Sequence, residues 1–357
     1  MAVLASLATL LAAGCSDDEA ADDGGTIRPL ETAGESASGA GSGSASGSAS
    51  ASASGTASGS ASGTASGSGS ASASGTAASG TAPSGTAPSG TAASGSESAT
   101  VDTSVTVDDP LVEEAAMQYT EYVRGQTDLI VSDAKVFTDA VRANDIDAAK
   151  AAYAPSRQAW ERIEPIASLV EDIDVAVDAR CDDFESDDDP AWTGWHKLEY
   201  LVYDVGDIGP ESGATELADQ LDADLATLQD TMTSTDIPAA AIPVGASELI
   251  EEVSGGKLTG EEDRYSGTDL WDIAANLDGS HAAFETLEGA VEAKDTELVE
   301  RIEAGFEDAD ELIEKYEDGD GYQSFDELTE EDSDAFKTTL GSLADDLALV
   351  SGVLGLE

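Results

Sequence analysis

The spacing of apolar residues predicts helices along most of the chain after residue 105. Between residues 110 and 141, apolar side chains recur every three or four positions, which places them on one face of a helix. Pro110 suits the first turn of that helix, where its missing N–H costs no hydrogen bond. No long alternating run of β-branched residues competes with the helical period. The pattern predicts helices at 110–141, 146–169, 192–203, 214–232, 238–253, 268–294, 296–316 and 331–354.

The connections between these predicted helices are mostly short, which places consecutive helices antiparallel in a bundle. We therefore expect an all-α fold, and roughly 250 residues allow either one large domain or two packed halves. Pro155 and Pro165 lie inside the 146–169 stretch and are expected to kink it. Residues 171–189 are acidic and lack a clear period, so we expect them to be irregular.

The first 104 residues have a different composition and divide into two segments. The apolar stretch from Ala2 to Gly14 ends in small residues before Cys15, which predicts a secretion signal at 1–15 with Cys15 lipidated. This stretch is too short to span a bilayer. Residues 16–104 are dominated by Gly, Ser, Ala and Thr, which predicts a flexible tether. The folded part is expected at 105–357.

The charge balance limits the possible partners. The chain has 74 acidic residues against 15 lysines and arginines, a formal net charge of −59. Nucleic acid is excluded as a partner, because its binding needs basic patches that release counterions. The acidity fits the solvated surface of a halophilic protein working in high salt, or a surface that collects cations. These two interpretations stay open at this point.

One segment with an unusual residue pair stands out against this acidic background. His196 is one of only two histidines in 357 residues, and Glu199 follows three positions later. Residues three apart on a helix lie on the same face, so this pair can close on one metal ion. The surrounding Trp192, Trp195 and Leu198 make the helix mostly apolar, so its polar side chains are expected to face a site.

Five segments of the folded part have distinctive sequences: Tyr-Ala-Pro at 153–155, Trp-Glu-Arg-Ile-Glu-Pro-Ile-Ala at 160–167, Asp-Ala-Arg-Cys-Asp-Asp-Phe at 178–184, Gly-Trp-His-Lys-Leu-Glu at 194–199, and Gly-Glu-Glu-Asp-Arg-Tyr-Ser-Gly-Thr-Asp-Leu-Trp-Asp at 260–272. Together they resemble the imelysin-like domain of the EfeO iron-uptake lipoproteins. The resemblance extends over about residues 112–357, in the same order and with similar spacing.

The resemblance implies two packed four-helix-type bundles outside the cytoplasm, on the outer face of the cell membrane. Such a protein binds iron and delivers it to a membrane iron permease, often with a haem peroxidase encoded alongside. Many relatives have an N-terminal cupredoxin domain where this chain has the predicted tether, so a mechanism that needs two metal sites is not expected. The ligands that the resemblance implies are His196, Glu199, Glu161, Glu164 and Asp178.

Asp263 or Asp269, in the acidic segment 260–272, is a further candidate ligand, and spacing does not choose between them. Arg162, Arg180 and Arg264 lie among the acidic segments and are expected to orient carboxylates. One imidazole with several carboxylates suits iron, and other divalent cations such as manganese remain possible.

Two other functions stay open from the sequence. One is an imelysin-like metallopeptidase, although the His-Glu-x-x-His motif of zinc peptidases is absent. The other is a non-enzymatic surface lipoprotein, in which the tether and the acidic domain serve display and solubility. The interpretation we favour is a non-enzymatic, lipid-anchored iron-binding protein.

Overall fold

A computed structural model describes residue 105 and residues 107–357, and within them the fold is all-α, as predicted. The short strands β1 (Glu317–Asp318) and β2 (Gly321–Tyr322) form an antiparallel hairpin that the sequence pattern did not indicate. The helices are α1 (Pro110–Arg142), α2 (Ile146–Glu161), α3 (Glu171–Asp178), α4 (Gly194–Tyr200), α5 (Ala214–Ser234), α6 (Ala241–Gly255), α7 (Asp269–Glu292), α8 (Thr296–Ile313) and α9 (Glu330–Leu354).

Local sequence explains where the long helices begin. The Asp109 side chain accepts a hydrogen bond from the Leu111 N–H, and Pro110 occupies the first turn of α1. Asp145 and Asp295 cap α2 and α8 in the same way. The buried face of α1 includes Tyr119, Val123, Ile130 and Phe137, at the predicted helical spacing.

The helices form two groups that meet at α7. In the first group, α1 packs against α2 and α5, and the short helices α3 and α4 pack against α5 and each other. In the second group, α6, α7, α8 and α9 pack against one another. Because α1 and α2 also contact α7, one continuous apolar core extends through both groups. This agrees with the expected pair of packed bundles.

Two predicted boundaries were wrong, and both lie close in sequence to the candidate ligands Glu161, Glu164 and Asp178. The helix predicted at 146–169 ends at Glu161 and is followed by a separate 3₁₀ segment, Glu164–Leu169, with Pro165 in its first turn. Pro155, in contrast, lies inside α2. The region expected to be irregular begins with α3, which packs against α4. Short segments of this kind are stabilised by tertiary packing more than by their own propensity.

Some predictions concern residues that the structure does not describe. The signal peptide at 1–15, the lipidation of Cys15 and the tether at 16–104 lie outside the described residues and stay predictions. Within the described part, no helix combines the length and the apolar character needed to cross a membrane.

Candidate metal centre

The predicted His-x-x-Glu pair lies on α4, which is positioned by a close approach of two backbones. Gly194 has a φ of 82°, and a Cβ built on it would lie 2.1 Å from the carbonyl oxygen of Val177 in α3. A side chain at this position would collide with that backbone, so the contact requires glycine. The contact fixes α4 so that His196 and Glu199 are buried, with exposed fractions of 1% and 0%.

One nitrogen of His196 faces groups that are already hydrogen-bonded. Its Nδ1 lies 3.2 Å from Oε2 of Glu199 and 3.4 Å from the phenol oxygen of Tyr153. The other oxygen of Glu199 accepts hydrogen bonds from the backbone N–H groups of Tyr265 and Ser266, at 2.9 and 2.7 Å. Glu199 is therefore held on both sides and fixes the orientation of the imidazole.

Asp263 lies on the same side of the imidazole, with Oδ1 at 3.8 Å from Nδ1 of His196. The Tyr153 hydroxyl donates to this Oδ1 at 2.7 Å, and the Thr268 hydroxyl donates to Oδ2 at 2.5 Å. Asp269 accepts a hydrogen bond from the backbone N–H of Asp263 at 3.2 Å. Of the two aspartates that spacing left open, Asp263 therefore approaches the imidazole, whereas Asp269 fixes the backbone of Asp263.

The other nitrogen of His196 is buried and has no hydrogen-bond partner among the residues that the structure describes. Nε2 lies 3.6 Å from Oδ1 of Asp178 and 3.7 Å from Oε1 of Glu262. These distances are long for hydrogen bonds. Ligands that bind one cation at about 2.0–2.2 Å each are themselves about 3–4 Å apart. The arrangement of these three atoms therefore suits a shared cation.

A buried arginine on α2 joins four of the surrounding carboxylates. The Arg157 guanidinium donates to Asp178 and to Glu161, each at 2.5 Å, and to Asp272 at 3.2 Å. It also lies 3.4 Å from Oε1 of Glu262. Since an arginine stays charged at any working pH, this side chain is a permanent cation at the centre of the cluster.

A buried lysine fills the neighbouring part of the cluster. Lys257 is 1% exposed, and its Nζ lies 2.8 Å from oxygens of both Glu161 and Glu164. The Asn276 amide donates to the same two oxygens, at 3.0 and 2.7 Å. The ammonium of Lys257 therefore occupies the position that a bound cation would take between Glu161 and Glu164.

Three groups of described side chains have ligand atoms close enough to share one metal ion, and the three differ in what already occupies them. Arg157 contacts every member of the third group and both carboxylates of the first. In the second group, Nδ1 of His196 faces the fixed Glu199. The first group is the best candidate, because there a buried imidazole nitrogen, Nε2 of His196, has no hydrogen-bond partner among the described residues. From first to third, the groups are Asp178–His196–Glu262, His196–Glu199–Asp263 and Glu161–Glu262–Asp272.

The charges around His196 determine its protonation before any ion arrives. Burial and the charge of Arg157 lower the pKa of His196, but Glu199, Glu262 and Asp178 outweigh them and raise it to about 10. Burial raises the pKa of Glu262, but Lys257, His196 and Arg180 outweigh it and hold that pKa well below its usual range. An imidazolium beside ionised carboxylates therefore exists at neutral pH, and a metal ion would displace its proton.

The structure brings the seven candidate ligands into one buried cluster but divides them. Asp178, Glu199 and Asp263 surround the imidazole of His196, whereas Glu161 and Glu164 surround Lys257. Asp269 is buried in the layer behind Asp263.

The sequence reasoning missed Glu262, Asp272, Arg157 and Lys257. Glu262 and Asp272 belong to the acidic segment 260–272, from which only Asp263 and Asp269 were selected as candidate ligands. Arg157 had a local signal, because it lies four residues before Glu161 on the same helix.

The three arginines expected to orient carboxylates have different roles. Arg180 donates to Oε2 of Glu262 at 2.8 Å, as expected for an orienting residue. Arg162 pairs with Asp278, and Arg264 pairs with Asp182, and both of these pairs are partly exposed. Only Arg180 among the three contacts a described member of the cluster around His196.

Comparisons with known proteins identify the family of the chain. The family model described as imelysin, peptidase M75, matches residues 115–350. The iron uptake system component EfeO of Escherichia coli O157:H7 is 44% identical over 244 residues, which cover 68% of this chain and 64% of the relative. EfeO proteins of E. coli K12 and Shigella flexneri are 43% identical over the same coverage. The match thus spans just under two thirds of each relative, and the resemblance seen in the sequence is confirmed: the chain belongs to the imelysin family.

Proposed function

We propose that this protein binds an iron ion as cargo and delivers it to a membrane permease, as an extracytoplasmic, lipid-anchored component of an iron uptake system. The main support is the unpartnered Nε2 of His196, buried between carboxylate oxygens of Asp178 and Glu262. The relatives that match most of the folded part are named as iron uptake components, which supports the same cargo.

The donor atoms suit a hard cation. Asp178 and Glu262 supply carboxylate oxygens and His196 supplies one imidazole nitrogen, a set that favours iron or manganese. Structural zinc sites favour thiolates and several imidazoles in a closed tetrahedron. Glu199 would hold the Nδ1–H, which leaves Nε2 available to the ion.

The excess of buried acids favours binding of one more cation. Six carboxylates of the cluster are buried and two more are nearly so, against the permanent cations Arg157 and Lys257. Burial, together with the charges of neighbouring acids, raises the pKa of Asp272 and of Glu164 well above the usual range. Both acids therefore hold their protons more tightly than usual, and a metal ion would compete with those protons for the carboxylate oxygens. The acids are Glu161, Glu164, Asp178, Glu199, Glu262, Asp263, Asp269 and Asp272.

Delivery requires a finite affinity, which carboxylates and one imidazole provide because these ligands release the ion on protonation. The anchor at Cys15 is predicted from the apolar stretch before it, whereas the permease and a haem peroxidase are partners predicted from the resemblance. In this proposal the permease determines where the ion is delivered, and the described residues bind it.

A metallopeptidase is the second candidate, because the family name includes that activity. Peptidase chemistry needs a metal with an open position and a carboxylate free to act as a general base. Glu199 is a poor base, since one of its oxygens accepts two backbone hydrogen bonds and the other faces Nδ1. Iron binding without catalysis requires no such base, so we favour uptake over hydrolysis.

Calorimetric titration of the full chain tests the proposal. The titration is done at a salt concentration at which the circular dichroism spectrum is that of a folded protein. Mn²⁺ and anaerobic Fe²⁺ are compared with Zn²⁺ and Ca²⁺. The affinity for Fe²⁺ or Mn²⁺ should fall at least about tenfold in His196→Ala and in the larger His196→Gln. The matched control is His281→Ala, since His281 is part-buried beside Glu303 on the other helix group.

Equal binding by wild type and both His196 variants would refute the site. Weak binding of all four cations alike would favour a surface lipoprotein instead. Cleavage of casein by the metal-loaded protein, lost in His196→Ala, would favour the peptidase.

A further inference from the structure

A cleft of about 880 Å³ lies against the candidate site, and Asp178 and Glu262 belong to its lining. The 3₁₀ segment Glu164–Leu169 and α3 form one side, and α6 contributes the other. A Cβ built on Gly245 of α6 would lie 1.7 Å from the carbonyl oxygen of Pro165, so the two backbones are in direct contact. This contact fixes the sides of the cleft relative to each other.

The lining of the cleft is strongly acidic. Besides Asp178 and Glu262 it includes six carboxylates, whereas Arg180 is the one lysine or arginine among its described lining residues. Burial and the charges of Asp178 and Glu252 raise the pKa of Asp174 to about 7, which agrees with closely spaced acids. The six carboxylates are Glu164, Glu171, Asp174, Asp183, Glu248 and Glu252.

Two side chains of the cleft lining also approach the buried Nε2 of His196, which has no hydrogen-bond partner among the described residues. Nε2 of His196 is nearest to Asp178 and Glu262, the same side chains that line the cleft. Arg180 holds Oε2 of Glu262 at 2.8 Å, while Oε1 of Glu262 is the oxygen that faces Nε2. An ion in the cleft would therefore meet the carboxylates of Asp178 and Glu262, which also approach Nε2.

We propose that this acidic cleft is the entry route of the cargo, and that the cargo enters as a free hydrated cation and not as an anionic chelate. The inference rests on the proposed function. The cleft is large enough for a small chelate. The charge of the cleft, and not its size, would therefore select a free cation over an anionic chelate. Low-dielectric walls lined with one sign of charge concentrate ions of the opposite sign and repel a negatively charged complex such as ferric citrate.

Association kinetics of the full chain test the route. Binding of Mn²⁺ or anaerobic Fe²⁺ can be followed by quenching of tryptophan emission, since the Trp160 indole donates to Asp178 at 2.9 Å. The double variant Asp174→Asn/Glu252→Gln neutralises two lining acids that are outside the proposed ligand set. We expect its association rate constant to fall about tenfold, with a weaker salt dependence and a nearly unchanged dissociation rate.

The matched control is Glu300→Gln/Glu307→Gln on α8, which likewise replaces two acids by amides, at exposed positions away from the cleft. Both double variants are compared at pH 8, where the raised pKa of Asp174, about 7, leaves that acid mostly ionised. The control should associate as fast as the wild type. Circular dichroism across the salt series checks that both double variants are folded.

Three outcomes separate this inference from the proposed function. Equal association rates for the cleft variant and its control would refute the entry route, while loss of binding in His196→Ala would still support the site. Uptake of ferric citrate as fast as free Fe²⁺ would refute the proposed cargo class. Absence of any tight cation binding by the wild type would refute the proposed function itself, and the inference with it.

Discussion

The two halves of the buried acidic cluster contain similar carboxylates but differ in what neutralises them. On one side, Glu161 and Glu164 share the ammonium of Lys257, a cation that the chain itself supplies. On the other side, Asp178 and Glu262 approach Nε2 of His196 at distances too long for hydrogen bonds. Arg157 contacts this second pair of acids as well, so the difference lies in the third partner: an imidazole can give up its proton and become a ligand, whereas the Lys257 ammonium stays in place.

This difference predicts how the cluster behaves without metal. Lys257 neutralises part of the charge of Glu161 and Glu164, so we expect this half to fold without a bound ion. The imidazole, in contrast, can lose its proton and become a ligand, so we expect the other half to exchange ions.

The largest expected effect comes from removing the internal cation. Lys257→Met leaves Glu164 buried without a counter-charge and Glu161 with Arg157 alone, which should lower the free energy of unfolding by about 3–5 kcal/mol. Urea denaturation of the metal-free protein measures this value. Lys315→Met, which removes an exposed pair with Asp332, is the control and should change stability little. Equal losses in both variants would show that Lys257 has no special structural role.

A smaller effect should distinguish ligands from compensated acids. Glu262→Gln removes a proposed ligand oxygen and should weaken Fe²⁺ or Mn²⁺ binding by about 100-fold or more, whereas Glu161→Gln should weaken it less than about tenfold. Titration calorimetry under conditions where both variants are folded makes the comparison. A larger loss of affinity in Glu161→Gln than in Glu262→Gln would place the ion on the Lys257 side of the cluster.

The smallest effect is a pH dependence of affinity. Because the pKa of His196 is raised to about 10 in the metal-free protein, metal binding below that pH must expel a proton. Affinity for Mn²⁺ should therefore fall about tenfold per pH unit as the pH decreases from 9 to 7. The stability of the metal-free fold changes with pH in the opposite direction. The protonated His196 stabilises the fold most fully below about pH 6.5 and less as the pH rises toward 10.

Titrations at several pH values, repeated in buffers of different ionisation enthalpy, measure the proton released per ion. An affinity that is constant between pH 7 and 9 would show that His196 is not a ligand. The same series on His281→Ala should reproduce the wild-type slope.

The apolar period was sufficient to predict most of the helices, because each long helix buries one face and displays another. It failed where tertiary contacts compensate for a weak local signal. The helix α3 is short and acidic, and its contact with Gly194 and α4 supplies what its own sequence lacks. Likewise, Pro165 divided a predicted helix into α2 and a 3₁₀ segment.

The sequence by itself determined an all-α domain and the acidic character of the protein, and it singled out His196 and several carboxylates as candidate ligands. Periodicity, composition and residue spacing are properties of the chain, so they can be read without coordinates. Only the tertiary structure decided which acids are compensated, because Lys257 lies 96 positions after Glu161 in the sequence and 2.8 Å from it in the fold. The division between a structural half and a cation-binding half depends on such long-range contacts, which residue spacing does not encode.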